Sequence, residues 1–188
     1  MDKININNLA GKCLAALPST EGLFAKSLVY ICTHNDDSGA MGLILNKPYP
    51  DITLNELTSN IFSNTGIGIT APILQGGPLE RDKGFIIHDE SYIDSTSFRI
   101  SDGIVVSSST NILHNIAVNK EPLNFLIVLG YCGWIPGQLE NEISQNRWLI
   151  VPTTPELVFQ TPVEEKWSLA LSSLGINNSN FTLPLGHS

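Results

Sequence analysis

The stretch that most restricts how this chain can fold is LNFLIVLGYCGWIPGQLENEISQNRW, residues 123–148. Phe125 to Leu129 is the longest unbroken apolar run. It is far too short to cross a bilayer and has the length of a buried strand. Gly130, Cys132 and Gly133 then interrupt it, and a polar helix follows from near Gly137. Strand, glycine-rich turn and helix N-terminus is a geometry many ligand sites use. In such a helix Glu140 occupies the third position, where a carboxylate complements unpaired backbone N–H groups. Leu139 and Ile143, four apart, form its inward face. Gln138, Glu142 and Gln145 form a separate polar face. Glu140 and Glu142 are two apart and diverge, so they are not an acid/base pair. The alternative reading is an ordinary strand–turn–helix corner.

The remaining chain alternates short strands, turns and helices. Gly11 to Leu17 reads as a strand closed by Pro18, and Ser27 to Thr33 as a β-branched and aromatic strand. The Asn35–Gly39 turn leads into Met41 to Leu45, giving a hairpin that ends at Asn46-Lys47-Pro48. Thr53 and Glu56 form a capping-box pattern for a short helix reaching Phe62. Brief strands are expected at Pro72–Gln75 and Gly84–His88. A further hairpin turns at Ser101-Asp102-Gly103. Helical spacing covers Thr110 to Val118. Trp148–Val151 reads as a strand, Thr154-Pro155 as a helix cap, and Val163–Leu174 as a last helix stopped by Gly175. Hairpins with interspersed helices, rather than regular βαβ repeats, indicate an α+β fold.

The 188 residues read as one domain with peripheral polar ends at 1–8 and 177–188. A chain of this length buries roughly 70% of its extended surface and needs no disulfide or metal. Ten Lys and Arg are scattered against a net charge of −8, which disfavours direct nucleic-acid binding. Cys13, Cys32 and Cys132 form no CxxC pair, so zinc-finger and disulfide-framework readings fail. Reduced thiols and the polar start MDKININN lead us to expect a cytoplasmic protein without a membrane segment.

Other candidates each have a plainer alternative. Gly76-Gly77-Pro78 is neither GxGxxG nor GK[ST], so no cofactor is expected from it, and it reads as a tight turn. Cys32, His34 and Asp36-Asp37 could assemble part of a zinc site, but a hydrogen-bonded structural histidine is the favoured reading and no metal is expected. His88 stands at a strand end and His114 on a helix. No GxSxG elbow is present. Cys132, before a helix start, is the best nucleophile candidate, set against a role as a small buried side chain. Trp134 reads as core or as a ligand platform.

Taken together, LAALPS (14–19), GAMGLILNKP (39–48), GGPLERDKGFIIH (76–88), LGYCGWIPGQLENEI (129–143) with Trp148, and PELVFQTPVEEKW (155–167) resemble the YqgE/AlgH family of bacterial proteins. The resemblance covers nearly the whole chain in order. It implies a compact α+β fold with a mixed, branched, partly barrel-like sheet surrounded by helices. It implies no established activity. One branch of the family carries a regulatory label linked to alginate production, which does not amount to DNA binding. The family motifs fall on Asn46, Pro48, Gly76, Gly77, Pro78, Gly84, His88, Gly130, Gly133, Trp134, Gln138 and Glu142. Cys132 stands where the family usually has a small residue such as alanine, which weakens its case as a nucleophile. Leu17, often methionine in the family, is a volume-conserving change.

These observations lead to an expected non-enzymatic, cytoplasmic binding or regulatory protein. Its partner would be a small molecule or another protein. Its site would lie between Asn46-Lys47-Pro48, the Gly76-Gly77-Pro78 turn and the 133–142 corner. One alternative is a hydrolase using His88 or His34 with Glu142. Another is a transcriptional regulator, which the acidic charge disfavours.

Overall fold

The strands that sequence alternation marks out come together in one curled, half-barrel sheet. The computed structural model describes residues 8–53, 71–119 and 121–176. Within them lie β1 (Cys13–Ala16), β2 (Leu28–Asn35), β3 (Gly39–Ile44), β4 (Pro48–Thr53), β5 (Pro72–Gln75), β6 (Leu79–His88), β7 (Ser97–Ser101), β8 (Ile104–Ser107), β9 (Phe125–Trp134) and β10 (Trp148–Val151). The helices are α1 (Thr110–Asn119), α2 (Gln138–Ser144) and α3 (Lys166–Ser173), with a 3₁₀ turn at Gly22–Phe24 and a π-helical turn at Glu156–Gln160. The capping-box helix expected from Thr53 lies outside the described residues.

The main path of the sheet runs β10-β1-β2-β3-β9-β6-β8-β7, and β4 and β5 form a side branch. The branch point is β9. One of its edges pairs antiparallel with β6. The other pairs first with β5, in parallel at Ile127–Leu129, and then with β3, antiparallel at Cys132–Trp134. The fold is therefore α+β with a mixed, branched sheet.

The apolar strands are buried on both faces, and period-two alternation sorts their side chains between them. Cys13, Ala15, Tyr30, Leu43 and Val128 join a core with Trp167 and Leu171 of α3. Leu14, Ala16, Val29, Ile44 and Trp134 join a second with Leu139 of α2. Ile86, Ile127 and Leu129 join a third with Ile112 and Ile116 of α1. Lys166 is fully buried beneath the first core. Its ammonium donates to the Leu157 and Val158 carbonyls, and burial lowers its pKa to about 8.

Several expectations need correction. β9 does not break at Gly130, Cys132 and Gly133; it continues to Trp134. The chain turns later, through Ile135-Pro136-Gly137, and Gly137 enters α2 at φ +76. Gly76-Gly77 is not an isolated tight turn either. The pair fills the fork where β3 and β5 separate along β9. Gly76 N–H donates to Leu129 O at 2.8 Å, and Gly76 O accepts from Ile44 N–H at 2.9 Å. A Cβ on Gly76 would stand 2.3 Å from Gly130 O, and one on Gly77 would stand 2.1 Å from the Tyr131 carbonyl carbon. The glycines thus mark backbone crossing backbone. A strand that the sequence reading missed, β4, begins at Pro48. β6 starts five residues before the expected Gly84, because Glu80 to Lys83 bulge out opposite the single Gly130. The expected last helix begins later than Val163, at Lys166.

The crossing yields a sharp contrast. Gly77→Ala forces a methyl into backbone and is expected to cost about 3 kcal/mol or more, or to prevent folding. Gly84→Ala meets nothing nearer than Leu129 Cδ2 at 3.8 Å and is expected to stay within about 1 kcal/mol of wild type. Urea denaturation of the two variants measures the difference.

Candidate functional site

Trp134 ends β9 and Trp148 opens β10. The hairpin-like path between them, through α2, brings the two indoles together edge to face, with ring centres 6.1 Å apart. Phe24, from the 3₁₀ turn after β1, meets Trp148 edge to face at 5.6 Å. These rings, with Pro78, Gly133, Gln138, Glu142, Arg147, Cys132 and the hydroxyl side chains Ser19 and Thr20, line a cleft of about 500 Å³. That volume suits a small molecule.

Glu142 holds the cleft together. Its Oε2 accepts both indole N–H groups, from Trp134 at 2.9 Å and from Trp148 at 2.8 Å. Its Oε1 accepts from the Gln138 side-chain amide at 2.9 Å, one helical turn earlier. The Gln138 carbonyl in turn takes the Ile135 backbone N–H at 3.1 Å. Burial disfavours the charged carboxylate. The hydrogen bonds from Trp148, Gln138 and Trp134, together with nearby Arg147, outweigh it and hold the pKa below the ordinary value of 4.5. The polar face expected for α2 is therefore only partly an outer face, because Glu142 turns in to the indoles.

Of the candidate residues, Pro78, Gly133, Trp134, Gln138 and Glu142 share this cleft. The others lie outside its lining. Asn46 Oδ1 accepts from Leu28 N–H and its Nδ2 donates to Lys26 O, both at 2.8 Å, closing the base of the β2–β3 hairpin. Pro48 opens β4, and Gly76 and Gly77 occupy the fork. His88 pairs with Phe125 at the start of β9. Trp134 is at the other end, about 30 Å away by strand rise.

Neither histidine can work with Glu142, which corrects that expectation. His34 Nδ1 accepts from Leu9 N–H at 3.1 Å, so its Nε2 carries the proton and donates to Glu140 Oε1 at 3.0 Å. His88 Nδ1 lies 2.6 Å from Asp89 O and therefore bears the proton. Its Nε2 accepts from Ser107 Oγ at 2.9 Å, and Ser107 Oγ lies 2.8 Å from Ser97 Oγ. Burial lowers the His88 pKa, against the opposing pull of the Asp89 carbonyl and the Asp89 and Asp94 carboxylates. His88 and Ser107 are both buried, so this Ser–His contact fastens β6 to β8 and offers no nucleophile. The nucleophile candidacy of Cys132 gains no support, and the small-buried-side-chain reading fits. Burial raises its thiol pKa to about 12, and its Sγ donates to Gly76 O at 3.3 Å. No group of three or more metal-ligating side chains occurs among the described residues. An anion site at the start of α2 gains no support, since the helix has only seven residues and the Gln138 N–H already bonds Ile135 O.

Ser19, Thr20, Phe24, Arg147 and Trp148 are cleft residues that sequence reasoning left out of the candidate site. Trp148 was legible as a strand start. Phe24 had no signal, because it reaches the site from a turn more than a hundred residues earlier.

The chain thus defines an α+β protein with a curled, branched sheet and an indole–carboxylate cleft at one end of its central strand. The family model described as AlgH-like, DUF179, matches residues 13–179, and the chain belongs to that family. A UPF0301 protein of Erwinia tasmaniensis is 38% identical over 186 residues, covering 96% of this chain and 99% of the relative. One from Vibrio cholerae is 38% identical over 187 residues, with the same coverage. The solution structure of the AlgH protein from Pseudomonas aeruginosa matches all of both chains, with a TM-score of 0.77 and 33% identity. A Corynebacterium diphtheriae protein, 20% identical with a TM-score of 0.70 over 91% of this chain and 88% of its own, shares the fold.

Two outcomes follow from the site chemistry. Glu142→Gln removes the charge and is expected to destabilise by about 1–2 kcal/mol at pH 7, toward the low end because the carboxylate is partly exposed. A depressed folded pKa contributes stability that is complete above the unfolded value and is lost as pH falls through the folded one. The gap between the variants should therefore close below about pH 4.5, as measured by denaturation at stepped pH. Cys13, Cys32 and Cys132 are buried and each is raised to about 12. Ellman's reagent at pH 8 should find no reactive thiol in the native protein and all three after unfolding.

Proposed function

We propose that this chain is a non-catalytic binding protein and that its site is the cleft between Trp134 and Trp148. The observation that carries this reading is Glu142. In a hydrolytic site a cleft carboxylate keeps an oxygen for substrate or water. Here the two oxygens already accept three hydrogen bonds from the walls, two on Oε2 and one on Oε1. The carboxylate sets the shape of the cleft instead of reacting in it. The neighbouring thiol is protonated at neutral pH, and the two candidate histidines are engaged elsewhere. A preformed cleft with aromatic walls is what small-molecule recognition uses.

The same reading assigns the protein to the cytoplasm, on its buried free thiols, and away from nucleic acid, on its net charge of −8. No helix among the described residues is long and apolar enough to cross a membrane. The regulatory label of one family branch would then act through a small molecule or a protein partner, not through direct contact with DNA.

The test is a thermal-shift screen of the purified protein against small metabolites, with affinities of the hits remeasured on Trp134→Phe and Gln138→Ala. Binding at this cleft is expected to weaken at least about tenfold in one or both, the loss of one good contact. Unchanged affinities would move the site elsewhere. Hydrolytic turnover that disappears in Glu142→Gln would overturn the non-catalytic reading.

A further inference from the structure

The polar ends of the cleft walls all turn away from the space they enclose. Both indole N–H groups and the Gln138 amide N–H point to Glu142, and the Gln138 carbonyl is held by Ile135 N–H. What remains facing a ligand is ring surface from Trp134, Trp148 and Phe24, together with three groups that can donate. These are the Ser19 and Thr20 hydroxyls and the Arg147 guanidinium. Arg147 is exposed, and among the described residues no carboxylate lies within ion-pair distance of it. It acts on Glu142 only through space. Glu142 is the one acidic group among the described residues of the lining, and it already accepts three bonds.

The unused capacity of the cleft leans toward donation: the guanidinium only donates, and the two hydroxyls donate as well as accept. It offers donors and a cation to an acceptor, and flat apolar walls to a planar body. Building on the binding reading above, we infer that the cleft takes a small planar monocarboxylate, an aromatic or otherwise conjugated acid. Arginine meets a carboxylate through two parallel N–H groups, and its plane also stacks on rings. A single guanidinium balances one negative charge. A phosphate dianion would need a second cation or a nest of backbone N–H groups, and the described residues of the lining hold no second cation. A quaternary ammonium suits aromatic walls, but it would meet the Arg147 guanidinium, while the Glu142 carboxylate already accepts three hydrogen bonds. In a protein of net charge −8, a lone uncommitted arginine beside three aromatic rings also gives an anion a local point of attraction.

Indole resonances provide the test. In ¹⁵N-labelled protein, Trp134 and Trp148 report on the cleft. Trp167 is an internal control, because its indole donates to Ala16 O at 2.8 Å in the buried core. The probes are benzoate, its neutral isostere benzamide, and phenyltrimethylammonium, titrated to about 10 mM, above the millimolar constants typical of so small a ligand. Benzoate is expected to shift the Trp134 and Trp148 signals and leave Trp167 in place. Arg147→Gln should weaken benzoate at least about tenfold, the size of one charge-assisted bond, with partial recovery in Arg147→Lys. An unmoved Trp167 signal in these variants confirms the fold. Benzamide or the ammonium binding as tightly as benzoate, or Arg147→Gln without effect, would overturn the ligand class while leaving the cleft as a binding site. No response of Trp134 and Trp148 to any of the three probes would overturn both.

Discussion

The sheet depends on one close approach, the passage of Gly76-Gly77 across the backbone of β9 between Val128 and Cys132. A side chain at either glycine would occupy the space of main-chain atoms, so only glycine permits it. The approach is held by strand-type hydrogen bonds on both sides, to β9 through Leu129 and to β3 through Ile44. It lets one strand exchange β5 for β3 as its neighbour with both backbone groups of Gly76 paired, where a buried unpaired group would cost about 1–3 kcal/mol. Branching then curls the sheet, and curling brings β10 back beside β1.

The cleft follows from that curl. β9 delivers Trp134 and β10 delivers Trp148, and neither pair of neighbours in the sheet places these residues side by side. Glu142 joins them. A half-buried carboxylate is costly to desolvate, and here three neutral donors satisfy it without the entropy of a long ion pair. Two mobile aromatic side chains become fixed walls. The polar network of His88, Ser107 and Ser97 lies at the opposite end of β9 and fastens β6, β7 and β8 in a comparable way. Each end of the central strand thus has its own polar clasp, and the one at Glu142 lines the cleft.

Much of this was legible in the residues. Alternation and turn chemistry located β1, β2, β3, β5, β7, β8 and β10, because those signals are local. The last turns were legible too: Thr154 Oγ1 accepts Leu157 N–H as a cap, and Gly175 ends α3 at φ +76. What failed was the meaning of glycine in the middle of the chain. Gly130, Gly133, Gly76 and Gly77 read as turns because the sequence of one strand does not show another backbone pressed against it. The role of Glu142 was hidden for a similar reason. Helical spacing shows which residues share a face, but not that two indoles from distant strands wait beneath it. His88 was set beside Glu142 on chemical type alone, and β9 separates them by its full length.

The pairing of β1 with β10 has a consequence for how the protein is made. Cys13 to Ala16 are opposite Trp148 to Val151, so β1 leaves the ribosome well over a hundred residues before the strand that covers its second edge. β3, β5 and β6 likewise lack their shared neighbour until β9 has been synthesised. Pairings so distant along the chain make for slow folding and long-exposed strand edges. During synthesis the nascent chain presents the almost uninterrupted apolar strand LVYIC of β2 with no completed sheet to receive it. The apolar edges of β1 and β2 are therefore all covered only once residue 151 has been made.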